Sequence, residues 1–179
     1  LPVPAFMWTA ETEMNCVHQC VGQLIEHAYA HHIQRLMVLG LFCLLLGVRP
    51  QLVNRWHLSM YIDAIDWVSL PNVLGMSQYA DGGIMATKPY VSSANYINKM
   101  SDYCSQCSYD RQKAYGESAC PFNCLFWYFF DRHRKKLENN PRIGMMYRTW
   151  NRKDPAEQKR ILKQAESYKK KLNTPRTTT

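Results

Sequence analysis

Cys104 and Cys107 are separated by two residues, and Cys120 follows after another twelve, directly before Pro121. Two thiolates at i and i+3 can grip one metal centre from a single turn, and a third from the next loop completes a trigonal face. A tetrahedral thiolate site needs one more sulfur. Cys43 lies inside an apolar run and Cys124 inside an aromatic helix, where a free cysteine behaves as a small hydrophobe. Cys16 and Cys20, one helical turn apart, are therefore the two contenders. Seven cysteines are an odd number and no export signal is visible, so a disulfide framework is the poorer expectation. By spacing alone zinc and an iron–sulfur cluster fit about equally well, and the Cys-Pro step leans only slightly towards iron–sulfur.

His31 and His32 form the second group with chemistry. Imidazole titrates near neutral pH, so the pair could serve as a general acid. Read as structure, they are polar residues at the edge of an amphipathic face. Trp8, Trp56, Trp67, Trp127 and Trp150 are by default core aromatics, and otherwise a redox relay or a stacking surface for bases. Periodicity does not choose between these.

The scaffold that must carry these residues reads as helical. Residues 1–10 form an entry loop, because Pro2 and Pro4 deny regular helix. Residues 12–46 read as helix, with Val17, Cys20, Val21, Leu24, Ile25 and Ala28 recurring at three and four, closed by Gly47 and Pro50. A helix over 51–67 places Leu52, Trp56, Ser59, Met60 and Asp63 on adjoining turns, and Pro71 ends it. Residues 71–103 hold no sustained period and read as a long functional loop. After Cys120 a Phe-rich helix runs to Glu138 and stops at Asn139, Asn140 and Pro141. Asp154-Pro155-Ala156-Glu157 then opens a terminal helix with an N-cap acid, Pro at the first position and a capping-box Glu. Its Ile161, Ala165, Tyr168 and Leu172 make a narrow apolar seam among lysines. No strand ladder is visible, so the expected class is all-α. The expected division is a helical domain over 1–150 and, over 151–179, a basic helix with a disordered tail.

Composition narrows the classes further. Apolar residues at 46% and charged residues at 20% are those of a globular chain, not of a disordered one. The longest apolar run, 36–48, is too short to cross a hydrocarbon layer of roughly 30 Å as a helix, so no membrane span is expected. The net charge of +8 is concentrated: from residue 151 onward nine Lys and Arg face three acids, leaving only +2 for residues 1–150. That is a basic terminal helix, and weak support for a diffuse nucleic-acid face. The chain does not begin with Met, which fits a fragment, a processed product or part of something longer.

The stretches AYAHHIQRLM (28–37), LPNVLGMSQYADGG (70–83), KPYVSSANYINKMSDYCSQCSYD (88–110) and ACPFN (119–123) closely resemble the C-terminal part of the iron–sulfur bacterial cryptochromes and photolyases. NPR (140–142) and YRTW (147–150) extend the resemblance over nearly the whole of residues 1–150. It implies the C-terminal half of an all-helical FAD-binding domain with a [4Fe–4S] cluster, and light-driven repair of (6-4) photoproducts in UV-damaged DNA. The family's cluster ligands fall on Cys16, Cys104, Cys107 and Cys120. Its lesion-facing acid falls on His32, with His31 beside it. Trp8 and Trp56 match the photoreduction relay, Asp63 and Asn72 match positions lining the isoalloxazine ring, and Tyr90 and Tyr96 match a loop facing flavin and lesion. Two positions depart from the pattern: His57 stands where the relay has a phenol, and Ser69 where bacterial members carry an acid near the reactive ring nitrogen.

The resemblance also implies that the antenna domain and the first half of the flavin-binding helices lie outside this chain, so a complete FAD pocket needs a missing N-terminal portion. The alternative is a photolyase-like, non-enzymatic structural subunit of a larger assembly that keeps the cluster as a staple. An intact cluster implies a reducing interior such as bacterial cytoplasm or an organelle, chloroplast or mitochondrion.

Overall fold

A computed structural model describes residues 1–173; the tail expected beyond them lies outside the described residues. Among these residues the chain is all-helical, with a single isolated bridge between Asp110 and Ala119. None of these helices is long and apolar enough to cross a membrane.

Pro2 and Pro4 precede a helical turn instead of forbidding one: α1 (Phe6–Thr9) begins beyond them, with Met7 N–H bonded to the Pro4 carbonyl. The long helix expected over 12–46 is broken. Helix α2 (Asn15–His27) buries Cys16, Val17, Cys20, Val21 and Leu24, then ends at Ala28, whose φ of 52° is left-handed and whose N–H returns to Leu24. That conformation costs a non-glycine residue roughly 1–2 kcal/mol, and hydrophobic spacing carries no trace of it. The chain restarts as α3 (His32–Gln34), widens into a π-helical segment (Arg35–Gly40) and continues as the buried α4 (Leu41–Leu46), closed by Gly47 at φ 82°.

The second expected helix breaks in the same way. Helix α5 (Pro50–Met60) stops at Tyr61, which is extended, so Asp63 sits in a turn and not on a helical face. Helix α6 (Asp66–Leu70) then runs into a second π-helical segment (Pro71–Ser77). Pro71 does not end that helix; it occupies the first position of the wide turn, where its missing N–H is not needed. The two breaks meet, since Ile62 N–H donates to the Ala28 carbonyl at 2.9 Å.

The stretch expected as loop also holds α7 (Ala94–Met100), and a 3-10 turn (Tyr103–Gln106) begins at its last residue. Helices α8 (Pro121–Arg132), α9 (Arg134–Leu137), α10 (Gly144–Arg152) and α11 (Pro155–Asn173) complete the order. Phe42 of α4 joins the core edge-on to Phe6 and Phe122, each at 5.5 Å between ring centroids. Helix α11 packs on α8 and fully buries Ile161 and Ala165. At its start Asp154 Oδ2 accepts the Glu157 N–H at 3.2 Å, while the Glu157 carboxylate turns to the Lys153 ammonium at 2.6 Å.

Candidate functional site

A cavity of about 170 Å³ opens where the two helix breaks and the two π-helical segments face each other. His32, Trp56, His57, Asp63 and Asn72 all line it, so five of the residues singled out in the sequence come together. Arg35 and Tyr61 line it too, and sequence reasoning had passed over both. The Arg35 guanidinium donates to both Asp63 oxygens at 2.9 Å, its Nε donates to the Ala30 carbonyl at 2.6 Å, and it lies over the Tyr29 and Tyr61 rings. The hydrogen bond from Arg35 holds the Asp63 carboxyl below its ordinary range.

His57 stacks on Tyr61 with 4.3 Å between centroids. Burial, and then the charge of Arg35, lowers the His57 imidazole to about 4, so the ring is neutral at pH 7. Burial raises the Tyr61 phenol. His57 Nδ1 and Tyr61 Oη are both buried without a hydrogen-bond partner among the described residues. Asn72 donates to the Val68 carbonyl at 2.8 Å, and Ser69 is buried in the wall. The two π segments touch beside the cavity: a Cβ at Gly40 would run into the Ser77 hydroxyl. Wide turns of this kind recur at functional sites, and here two share one wall.

The histidine pair divides. His32 faces this first cavity, whereas His31 and Tyr96 line a second one of about 380 Å³. His31 is also the N-cap of α3: its Nδ1 accepts the Ile33 N–H at 3.3 Å, and Gln34 Oε1 accepts the His31 N–H at 2.7 Å. Trp8 and Tyr90 line neither cavity. Trp8 is 47% exposed on α1, while the buried Trp56 donates from Nε1 to the carbonyl of Met7, the residue before it, at 3.1 Å. Trp56 also lines the cavity, and Met7 directly precedes Trp8 in the chain.

The four candidate cysteines come from three elements. Cys16 lies in the first turn of α2, Cys104 in the 3-10 turn, Cys107 at its end, and Cys120 caps α8. Burial first, then the charges of Cys120, Cys20, Cys104 and Cys107, raises the Cys16 thiol well above its ordinary value. Burial pushes Cys120 up to about 12, against a backbone hydrogen bond from Phe122. Cys16 and Cys120 thus each sit at a helix N-terminus, with thiols that burial keeps protonated. The Glu13 carbonyl accepts Cys107 Sγ at 3.9 Å and Ser108 Oγ at 3.3 Å, and its carboxylate accepts the Tyr109 hydroxyl at 2.9 Å, which straps this loop to the start of α2. Tyr168 of α11 reaches Met14 Sδ at 3.6 Å and senses Cys120 and Cys16. Among the described residues no group of three or more His, Cys, Asp or Glu side chains is arranged to hold a metal ion.

No family model matches the sequence. Among curated proteins, a (6-4) photolyase of Agrobacterium fabrum is 50% identical over 171 residues, which is 96% of this chain and 34% of the relative. The chain thus spans about a third of the length of that photolyase and matches its C-terminal part. An uncharacterised protein, R855, of Acanthamoeba polyphaga mimivirus is 39% identical over 66 residues, 37% of this chain and 54% of the relative.

Proposed function

The chain is a homologue of the C-terminal part of a (6-4) photolyase and so a photolyase/cryptochrome-family chain, and on that premise we propose that it supplies one wall of a flavin site and a four-cysteine iron–sulfur site in light-driven repair of (6-4) photoproducts in DNA. The observation that carries this reading is the gathering of His32, Trp56, His57, Asp63 and Asn72 around one cavity.

The residues present fit a flavin. A planar heteroaromatic ring with a polar edge is the kind of partner that the buried His57 Nδ1 and Tyr61 Oη lack. The cavity of about 170 Å³ falls below the roughly 300–1,000 Å³ that ligand pockets occupy, so a second wall is needed. Exposed Ile62, Ile65, Trp67 and Leu70 stand in the turn and helix beside it, apolar surface of the sort that a further portion of the protein would cover. When bound, FAD supplies the light-driven electron that reaches the photoproduct.

This chain's own residues then have distinct duties. Asp63, fixed by Arg35, offers a carboxylate whose direction does not drift. Neutral His57 and the phenol of Tyr61 would each offer a polar atom to the ring edge, Nδ1 as donor or acceptor according to its tautomer. His32 holds a proton at the cavity and delivers it to the basic atom that electron donation creates. Trp56 and Trp8 form the route by which an electron arrives from the surface. Tyr96 and Tyr90 provide aromatic surface for the lesion.

Cys16, Cys104, Cys107 and Cys120 would hold the [4Fe–4S] cluster. These thiols come from three segments distant in sequence, and loading must displace protons that burial and mutual repulsion retain at Cys16 and Cys120. The cluster's contribution is to tie α2, the 3-10 turn and α8 to one another.

The test is anaerobic purification of the chain together with a partner equivalent to the preceding two thirds of the Agrobacterium relative, followed by iron, sulfide and flavin analysis. Illumination of the reduced complex with DNA carrying (6-4) photoproducts is expected to remove them. A loaded, reduced complex that removes none would sink the enzymatic reading and leave a cluster-bearing structural unit.

A further inference from the structure

Gln34 joins three parts of the molecule through one amide. Its Oε1 accepts the His31 N–H at 2.7 Å, and its Nε2 donates to Gln23 Oε1 and to Tyr103 Oη, both at 3.0 Å. The His31 N–H can only donate, so it must meet the amide oxygen, which fixes which way the amide faces. Tyr103 is tied to α2 at two points and to the cysteine site through its chain neighbour. Its hydroxyl accepts from Cys20 Sγ at 3.9 Å, its carbonyl accepts from Asn15 Nδ2 at 2.8 Å, and Cys104 follows it directly. Asn15 in turn precedes Cys16.

We propose that Gln34 is the positioning residue of the His31–His32 turn and that it couples this turn to the cysteine site through Tyr103. What the histidine and the cysteines do rests on the function proposed above; the connection between them does not. The His32 ring makes no hydrogen bond among the described residues, so its aim at the first cavity follows from the turn that carries it. That turn is capped by His31 and Gln34, and Gln34 is anchored to the residue next to a cysteine. Fixing Cys104 and Cys107 on a metal centre removes freedom from Tyr103, hence from Gln34, hence from the backbone that points His32. Gln34, Tyr103 and His31 also share the second cavity with Tyr96, so the same link shapes both histidine-facing walls.

Hydrogen exchange of the full 179-residue chain, read by mass spectrometry over residues 31–34, tests this. Tyr103→Phe keeps the cap but cuts the link, and exchange there is expected to rise about fivefold, the loss of one ordinary hydrogen bond. Gln34→Met cuts both and behaves at least as badly. Gln34→Glu keeps an acceptor for His31 and lets the Tyr103 hydroxyl turn round and donate but loses the bond to Gln23, so it falls between the wild type and Gln34→Met. Stripping iron from the wild type is expected to raise exchange over 31–34 by about the same factor, and in Tyr103→Phe stripping has no further effect there. The coupling is overturned if Tyr103→Phe exchanges like the wild type over 31–34, if Gln34→Glu is as fast as Gln34→Met, or if α8 speeds up equally. A chain that takes up no iron sinks the cluster reading instead, and the metal-free comparison of Tyr103→Phe with the wild type then decides the coupling alone.

Discussion

Arg35 reaches across the gap between two broken helices and holds Asp63 by both carboxylate oxygens at 2.9 Å, 28 positions away in the chain. The guanidinium is held from three further sides, by the Ala30 carbonyl and the Tyr29 and Tyr61 rings, so it has one available direction. Asp63→Asn leaves that guanidinium without its counter-charge. Because Asp63 is half exposed, we expect a loss of only about 1–2 kcal/mol, some 3–6 °C in Tm. Arg35→Lys should do no better, since an ammonium cannot make the fork. Thermal melts of the two variants that match the wild type to within about 1 °C would show the pair to be ornamental.

The cysteine assignment makes a sharp division. Alanine at Cys16, Cys104, Cys107 or Cys120 is expected to reduce iron and sulfide in the purified chain to background, whereas alanine at Cys43 or Cys124 is not. Cys20→Ala decides between the two contenders on α2: iron should be retained. Iron lost from Cys20→Ala and kept by Cys16→Ala would reverse the assignment.

Acid should weaken the fold in a defined window. His57 and His133 are each lowered from 6.5 to about 4, His57 by burial and then Arg35, His133 by burial and then Arg132, Lys136 and Lys169. Between those pH values the unfolded chain binds protons that the folded chain refuses. Stability is therefore complete above about 6.5 and falls as the pH drops towards about 4. Asp63, held below its ordinary value, adds a loss of the same sign at lower pH. Urea midpoints measured from pH 7 down to pH 4 should fall, and the slope should lessen in His57→Phe. A flat profile contradicts the assignment.

Helix α11 is expected to be part of the core and not an appendage. Ile161→Ala removes a fully buried side chain against α8 and should cost about 2–4 kcal/mol in urea unfolding. The exposed Lys163→Ala should stay within about 0.5 kcal/mol of the wild type. Equal effects of the two substitutions would show that α11 does not dock as described.

Much of the scaffold is legible in the sequence because burial imposes a period: the faces of α2 and α8 and the seam of α11 all follow the apolar spacing. The site is less legible because it is built where that period fails. Ala28 turns left-handed and Tyr61 goes extended, and both positions sit inside runs whose spacing continues as if nothing happened. Arg35 reads as the edge of an apolar run, and its partnership with Asp63 has no local signature. One missed feature did leave a signal. Gln34 stands three residues after His31, the spacing of a capping box, with histidine in place of the usual hydroxyl. Read that way, His31 belongs to the architecture and His32 alone is left to face the cavity.

The π-helical segment Arg35–Gly40 also sets a phase. It fits in one residue more than an α-helix would, so everything before it is rotated against the buried α4 by roughly 100°. The reading frame of the helix is thus part of the site. Apart from Arg35 and Gly40, side chains within 35–40 can be exchanged one at a time with local consequences, but a deletion of any single residue there would restore the α-helical winding. It would swing His32 and Gln34 around the axis together, away from one cavity and one tyrosine at once.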